Sequence, residues 1–139
     1  MQEILTDLKA EQEYLDQFLS TLTEAQWHLG TLAEGWTVRD SLSHIAHIDE
    51  VATALMRGDH APLEIAAKVL GKFTEIGVEK GRRMKCSQLL PWWREARFFM
   101  MEELAKCDPK QRIPWFARPM GAKAFATARL METWAHGLD

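Results

Sequence analysis

Apolar residues at Ile4, Leu5, Leu8, Leu15, Phe18, Leu19 and Leu22 recur with the spacing of one helix face, with Glu, Lys and Gln between them, and predict a first helix beginning at Ile4. Thr23-Glu24-Ala25-Gln26 has the form of a capping box, so a short turn is expected to hold Trp27 inward. Glycines at 30 and 35 break the pattern. Thr37 restarts it as an N-cap, with Asp40 three residues on. The apolar positions Val38, Leu42, Ile45, Val51, Ala52 and Leu55 then continue to Arg57, where Gly58 closes the helix. Residues 63–80 are helical by composition but carry Gly71 and Gly77, each costing about 1 kcal/mol against Ala, which predicts an irregular piece. Ser87 opens a further helix over 87–107, with Asp108-Pro109 as its stop and Pro91 near its first turn. A loop rich in Pro and aromatics, 113–121, leads into a last helix over about 122–136. No stretch alternates in the strand manner for long enough to predict a sheet. The expected fold is all-α, with four long helices and a short extra turn, a four-helix bundle.

Composition adds limits. At 139 residues the chain has the size of one domain, and 47% hydrophobic with 27% charged residues is an ordinary globular balance. The formal net charge of −3 and the single short basic run Lys80-Gly81-Arg82-Arg83-Met84-Lys85, read as a solvated linker, give no footprint for nucleic acid. No apolar run approaches the roughly 18 residues a membrane span requires, and the acidic, amphipathic N-terminus does not read as a signal peptide. The expected setting is the cytoplasm, with no membrane partner. Cys86 and Cys107 form no CxxC motif and read as reduced, partly buried thiols.

Candidate chemistry sits at LMETWAHGLD, residues 130–139. Glu132 and His136 are four apart and project from one side of a helix, so both could touch one ion. A carboxylate turned toward a bundle interior needs a partner. The helix that begins at Thr37 offers imidazoles in a core-like register, His44 and His47. Neutral imidazoles and a carboxylate suit a zinc-type ion, and three protein ligands would leave one tetrahedral position for water or a thiolate. The alternative from spacing alone is a hydrogen-bonded polar network with no metal, or exposed side chains. His28 and His60 read as plain surface histidines, and Trp36 and Trp134 as core aromatics.

The segment GWTVRDSLSHIAHIDE resembles the second-helix signature of the DinB-like superfamily, specifically the metal-binding N-terminal domain of the mycothiol-dependent maleylpyruvate isomerase family. The stretch IPWFARPMGAKAFATARLMETWAHGLD resembles a subgroup of the same family, and the order of helices between the two segments matches as well. The resemblance implies an antiparallel four-helix bundle with one long crossover. It also implies a divalent metal, usually zinc, with nickel or iron as alternatives, held by a histidine of the second helix and by the Glu and His of the last. Carried over, the implied ligands are His44, Glu132 and His136. His47 stays open between a fourth ligand, a donor behind the ligands, an acid or base in the pocket, and a packed or exposed histidine. Arg129 is expected either to hydrogen-bond the ligand carboxylate or to form a structural ion pair, and Trp36, Trp115 and Phe116 are candidates for the pocket wall, with core packing as the alternative.

For activity, the resemblance implies metal activation of a low-molecular-weight thiol, mycothiol or a relative such as bacillithiol, which is added to an electrophilic substrate in an isomerase or S-transferase reaction. The C-terminal domain common in the family is expected to be absent from 1–139, a single metal-binding domain that is either a single-domain relative or a domain excised from a longer protein, and both put the isomerase reaction itself in question. The competing reading is a non-catalytic, metal-stabilised module for ligand binding or homodimerisation. Exposed residues among Trp92, Trp93, Phe98 and Phe99 would then form the interface.

Overall fold

The structure is a computed structural model that describes residues 2–31, 35–69 and 72–108 and the backbone of 112–113 and 120–121. It contains α1 (Gln2–Leu19), α2 (Glu24–Trp27), α3 (Val38–Met56), α4 (Ala61–Val69), α5 (Phe73–Arg82) and α6 (Cys86–Lys106). Two two-residue strands, β1 (Arg112–Ile113) and β2 (Met120–Gly121), pair antiparallel inside the segment read from sequence as a loop. The expected last helix, 122–136, lies outside the described residues.

Local chemistry sets the helix starts. Thr23 and Gln26 form the expected capping box, and Trp27 is buried behind it. At α3 the Thr37 hydroxyl accepts the Asp40 N–H (3.2 Å) while Asp40 Oδ2 accepts the Thr37 N–H (3.1 Å). Gly58, at φ +88°, takes the left-handed conformation just past the Arg57 cap. α6 begins one residue earlier than predicted, with the Gln88 side chain accepting the Lys85 N–H at 2.9 Å. Pro91 therefore falls past its first turn, where it can donate no bond back to the Ser87 carbonyl.

The two core clusters fix helix direction. Leu5 and Leu8 of α1 pack with Ala52 of α3 and with Met100 and Leu104 of α6. Leu15 and Leu19 pack with Leu42 and Ile45 and with Leu89 and Trp93. Hence α1 runs antiparallel to α3 and α6, while α3 and α6 run parallel. Parallel neighbours need a long connection, supplied by residues 57–85 with α4 and α5. Trp93 and Met100 are fully buried at the α3–α6 contact. Phe18, counted in the apolar stripe of α1, is instead 55% exposed, and the buried side of the helix includes Gln12.

The crossover segment 63–80 is divided between α4 and α5 rather than forming one helix, in keeping with the irregular piece expected. α5 packs closely on α3, and Gly77 and Gly81 are buried because the side chains of His47 and Ser43 occupy the space a Cβ would need. The basic run 80–85 ends α5 and leads into α6 with its charged side chains exposed, as expected of a solvated run, but two of them reach partners on neighbouring helices. Arg82 donates to both carboxylate oxygens of the buried Asp40 at 3.1 Å, and Lys80 lies 5.0 Å over the Trp92 ring and 3.6 Å from Glu50. Burial of Asp40 without such a partner would be costly. Among the described residues, no helix is long and apolar enough to cross a membrane.

Candidate functional site

His44 and His47 lie one turn apart on α3. His44 is 5% exposed, and the Trp36 ring rests against it with centroids 5.2 Å apart. Trp36 is set there by the returning loop: Leu29 and Trp36 carbonyls accept N–H bonds from Val38 (2.9 Å) and Thr31 (3.0 Å), and Gly30 bridges Thr37. His47 is half-buried between α3 and α5, with its ring 5.2 Å from Phe73 and its Cβ against the Gly77 backbone. Its Nδ1 is buried with no hydrogen-bond partner among the described residues. Burial, then the neighbouring His44 and Lys80 charges, pull the His47 pKa down from 6.5 to about 4. The ring is therefore neutral at physiological pH.

Of the residues singled out from sequence, Trp36 is brought against His44, and His47 stands one turn along α3 on the side of α5. Glu132, His136, Arg129, Trp115 and Phe116 lie outside the described residues. The described half fits a metal of the implied kind. A buried imidazole on the inner side of α3 and a second, neutral ring with an unbonded Nδ1 one turn on are donors that borderline divalent ions accept.

Two expectations about other side chains change, those for the α6 aromatics and for His28. Trp93 is fully buried and Trp92 donates to Glu50 Oε1 at 3.0 Å, so only Phe98 (57% exposed) and Phe99 of the aromatic group stand out from α6. Both cysteines are free and partly buried, as expected. His28 is exposed, as expected, but it is not isolated: its Nε2 lies 3.7 Å from Cys86 Sγ, with Glu24 beside them. Glu24 and His28 share the four-residue spacing of Glu132 and His136. That signal was present in the sequence, but α2 was read only as a cap and Cys86 is 58 residues away.

The family profile described as mycothiol maleylpyruvate isomerase N-terminal domain matches residues 8–139. An uncharacterized protein of Mycobacterium tuberculosis, found in strains CDC 1551 / Oshkosh and ATCC 25618 / H37Rv, is 35% identical over 138 residues. That match takes in 97% of this chain and 54% of the relative, so the chain spans about half the length of the curated relatives it matches. Crystal structures of the mycothiol-dependent maleylpyruvate isomerase, in a histidine-to-alanine mutant and in a second structure, superpose with TM-scores of 0.80 and 0.77. They are 18% and 17% identical, covering 99% of this chain and 59% of theirs. A solved protein described as a four-helix bundle superposes with TM-score 0.68 at 21% identity, covering 99% of this chain and 94% of its own. These likenesses establish the fold as an all-α four-helix bundle, and with the match over 8–139 the chain belongs to the mycothiol maleylpyruvate isomerase N-terminal domain family.

Proposed function

We propose that this domain binds one divalent, zinc-type ion through His44, Glu132 and His136, and that it serves a thiol-dependent isomerase or S-transferase. The thiol is mycothiol or another low-molecular-weight thiol, and the second substrate an electrophile. The observation that carries the reading is the buried His44 imidazole against Trp36, in a chain whose family is described by a mycothiol-dependent isomerase. A cytoplasmic setting belongs to the same reading, because thiols are kept reduced there.

When bound, the ion would favour the thiolate form of the thiol at neutral pH. The chain's own residues position and shield. Trp36 fixes the His44 ring and, with Trp115 and Phe116, would wall off water. Arg129 would hydrogen-bond the Glu132 carboxylate and so orient it. His47, neutral down to about pH 4, keeps a buried Nδ1 with no partner among the described residues and would not hold a second ring proton at neutral pH. It therefore orients a donor in the pocket rather than storing the proton a thiol gives up.

The unbonded Nδ1 of His47 favours one second reading: a closed site with His47 as fourth ligand and the ion purely structural. Elemental analysis of untagged protein tests both. Wild type should lose about one ion per chain in Glu132→Ala and in His44→Ala, whereas His60→Ala keeps it. His47→Ala retaining that ion supports the open, catalytic site, and loss of it supports the closed one. No metal after reconstitution, or loss unaffected by Glu132→Ala, would overturn the proposal.

A further inference from the structure

We infer that Glu24, His28 and Cys86 form a second metal site, separate from the His44 set and independent of it, for a borderline-soft divalent ion such as Zn²⁺ or Co²⁺. The candidate ligand atoms all lie within 4.8 Å of one another. In a tetrahedral zinc site with ordinary Zn–S and Zn–N bonds, sulfur and nitrogen are about 3.5 Å apart. The observed Cys86 Sγ to His28 Nε2 separation is 3.7 Å, so an ion fits between them with small side-chain adjustment.

The three ligands are delivered by fixed elements. Glu24 opens α2 and His28 caps its end, with the Thr23–Gln26 box holding that turn in place. Cys86 is the first residue of α6. Arg39 supplies a support behind the sulfur. Its Nε and Nη2 donate to the Gly81 carbonyl (3.2 and 2.7 Å), Nη2 also reaches the Met84 carbonyl, and Nη1 lies 3.4 Å from Cys86 Sγ. Such an N–H bonds a metal-held thiolate without competing for the ion, as outer-sphere donors do at metal sites.

A groove of about 490 Å³, lined by Glu24, Arg39, Lys85 and Cys86 among others, opens beside Glu24 and Cys86. The fourth coordination position is thus open to water or to an exogenous thiolate. On binding, the Cys86 thiol gives its proton to solvent and the Sγ–metal bond replaces the S–H bond. A sulfur ligand selects against Mg²⁺ and Ca²⁺. Arg39 and His44 are five residues apart, about 140° around α3, so the two sites occupy different sides of that helix.

The sulfur also provides the test. The His44, Glu132 and His136 set has no thiolate, so a thiolate-to-cobalt charge-transfer band in the near ultraviolet reports this site alone. Metal-free, reduced protein titrated with Co²⁺ should develop that band. Cys86→Ser should abolish it, and His28→Ala and Glu24→Gln should weaken cobalt affinity at least about tenfold. Cys107→Ser and Glu132→Ala should leave it intact. His28 is exposed, so its variant carries the test even if Cys86→Ser fails to fold. Absence of the band in wild type with cobalt in excess, its persistence in Cys86→Ser, or an unchanged affinity in His28→Ala would overturn the site.

Discussion

A single carboxylate, Asp40, does two jobs at the start of α3: it completes the capping box with Thr37 and neutralises Arg82 from α5. The first job was legible in the sequence because its partners are three residues apart. The second joins residues 42 apart and was not. His47 makes the residue scale testable. Its folded-state pKa is depressed from 6.5 to about 4, so the unfolded chain takes up a proton in that window that the folded chain refuses. Stability is then full above about pH 6.5, falls as pH drops, and has lost on the order of 3 kcal/mol once pH is below about 4. Urea unfolding of wild type beside His47→Asn should show this extra acid sensitivity in the wild type only. Parallel decline of the two proteins would mean that the ring is not held neutral.

At the scale of elements, the contact of α5 with α3 turns on Gly77 and Gly81, four residues apart on one side of α5. Taken as sequence, Gly77 weakens a helix, and substitution by Ala should stabilise it by about 1 kcal/mol. In the packed molecule the added methyl would overlap His47 at one position and Ser43 at the other. Forcing extra methyls into a close-packed contact costs about 1–3 kcal/mol, so packing outweighs propensity. Gly77→Ala and Gly81→Ala should each lower the urea midpoint, while Glu79→Ala, exposed on the same helix, should not. Stabilisation by either glycine variant would show that α5 does not sit this close to α3. The same tertiary contact explains what the sequence could not show of the basic run 80–85: Arg82 and Lys80 meet Asp40 and Glu50, both contributed by α3.

For the whole molecule, the parallel α3 and α6 and the long crossover between them separate two potential metal sites. The one proposed at His44 faces Trp36 and would take Glu132 and His136 as its other ligands. The other joins α2 to the start of α6. They share no ligand, so their occupancies should add. Cobalt stoichiometry near two per chain in wild type should fall to about one in His44→Ala with the thiolate band kept, and to about one in Cys86→Ser with the band lost. Loss of both ions in either variant would mean that the two sets are coupled or are not separate sites.

The sequence by itself determined the all-helical class, the starts of α2 and α3, the inward Trp27, and His44 as a buried imidazole. Each follows from interactions within a turn or two of the chain, where spacing dictates geometry: capping boxes close over three residues and one helix face repeats every three or four. Tertiary structure alone decided that Asp40 meets Arg82, that Gly77 and Gly81 are required by contact rather than tolerated, that Trp93 is core, and that His28 stands beside Cys86. These depend on which helix faces meet after α3 and α6 align in parallel. Partners tens of residues apart leave no periodic trace, because only the folded packing brings them within reach.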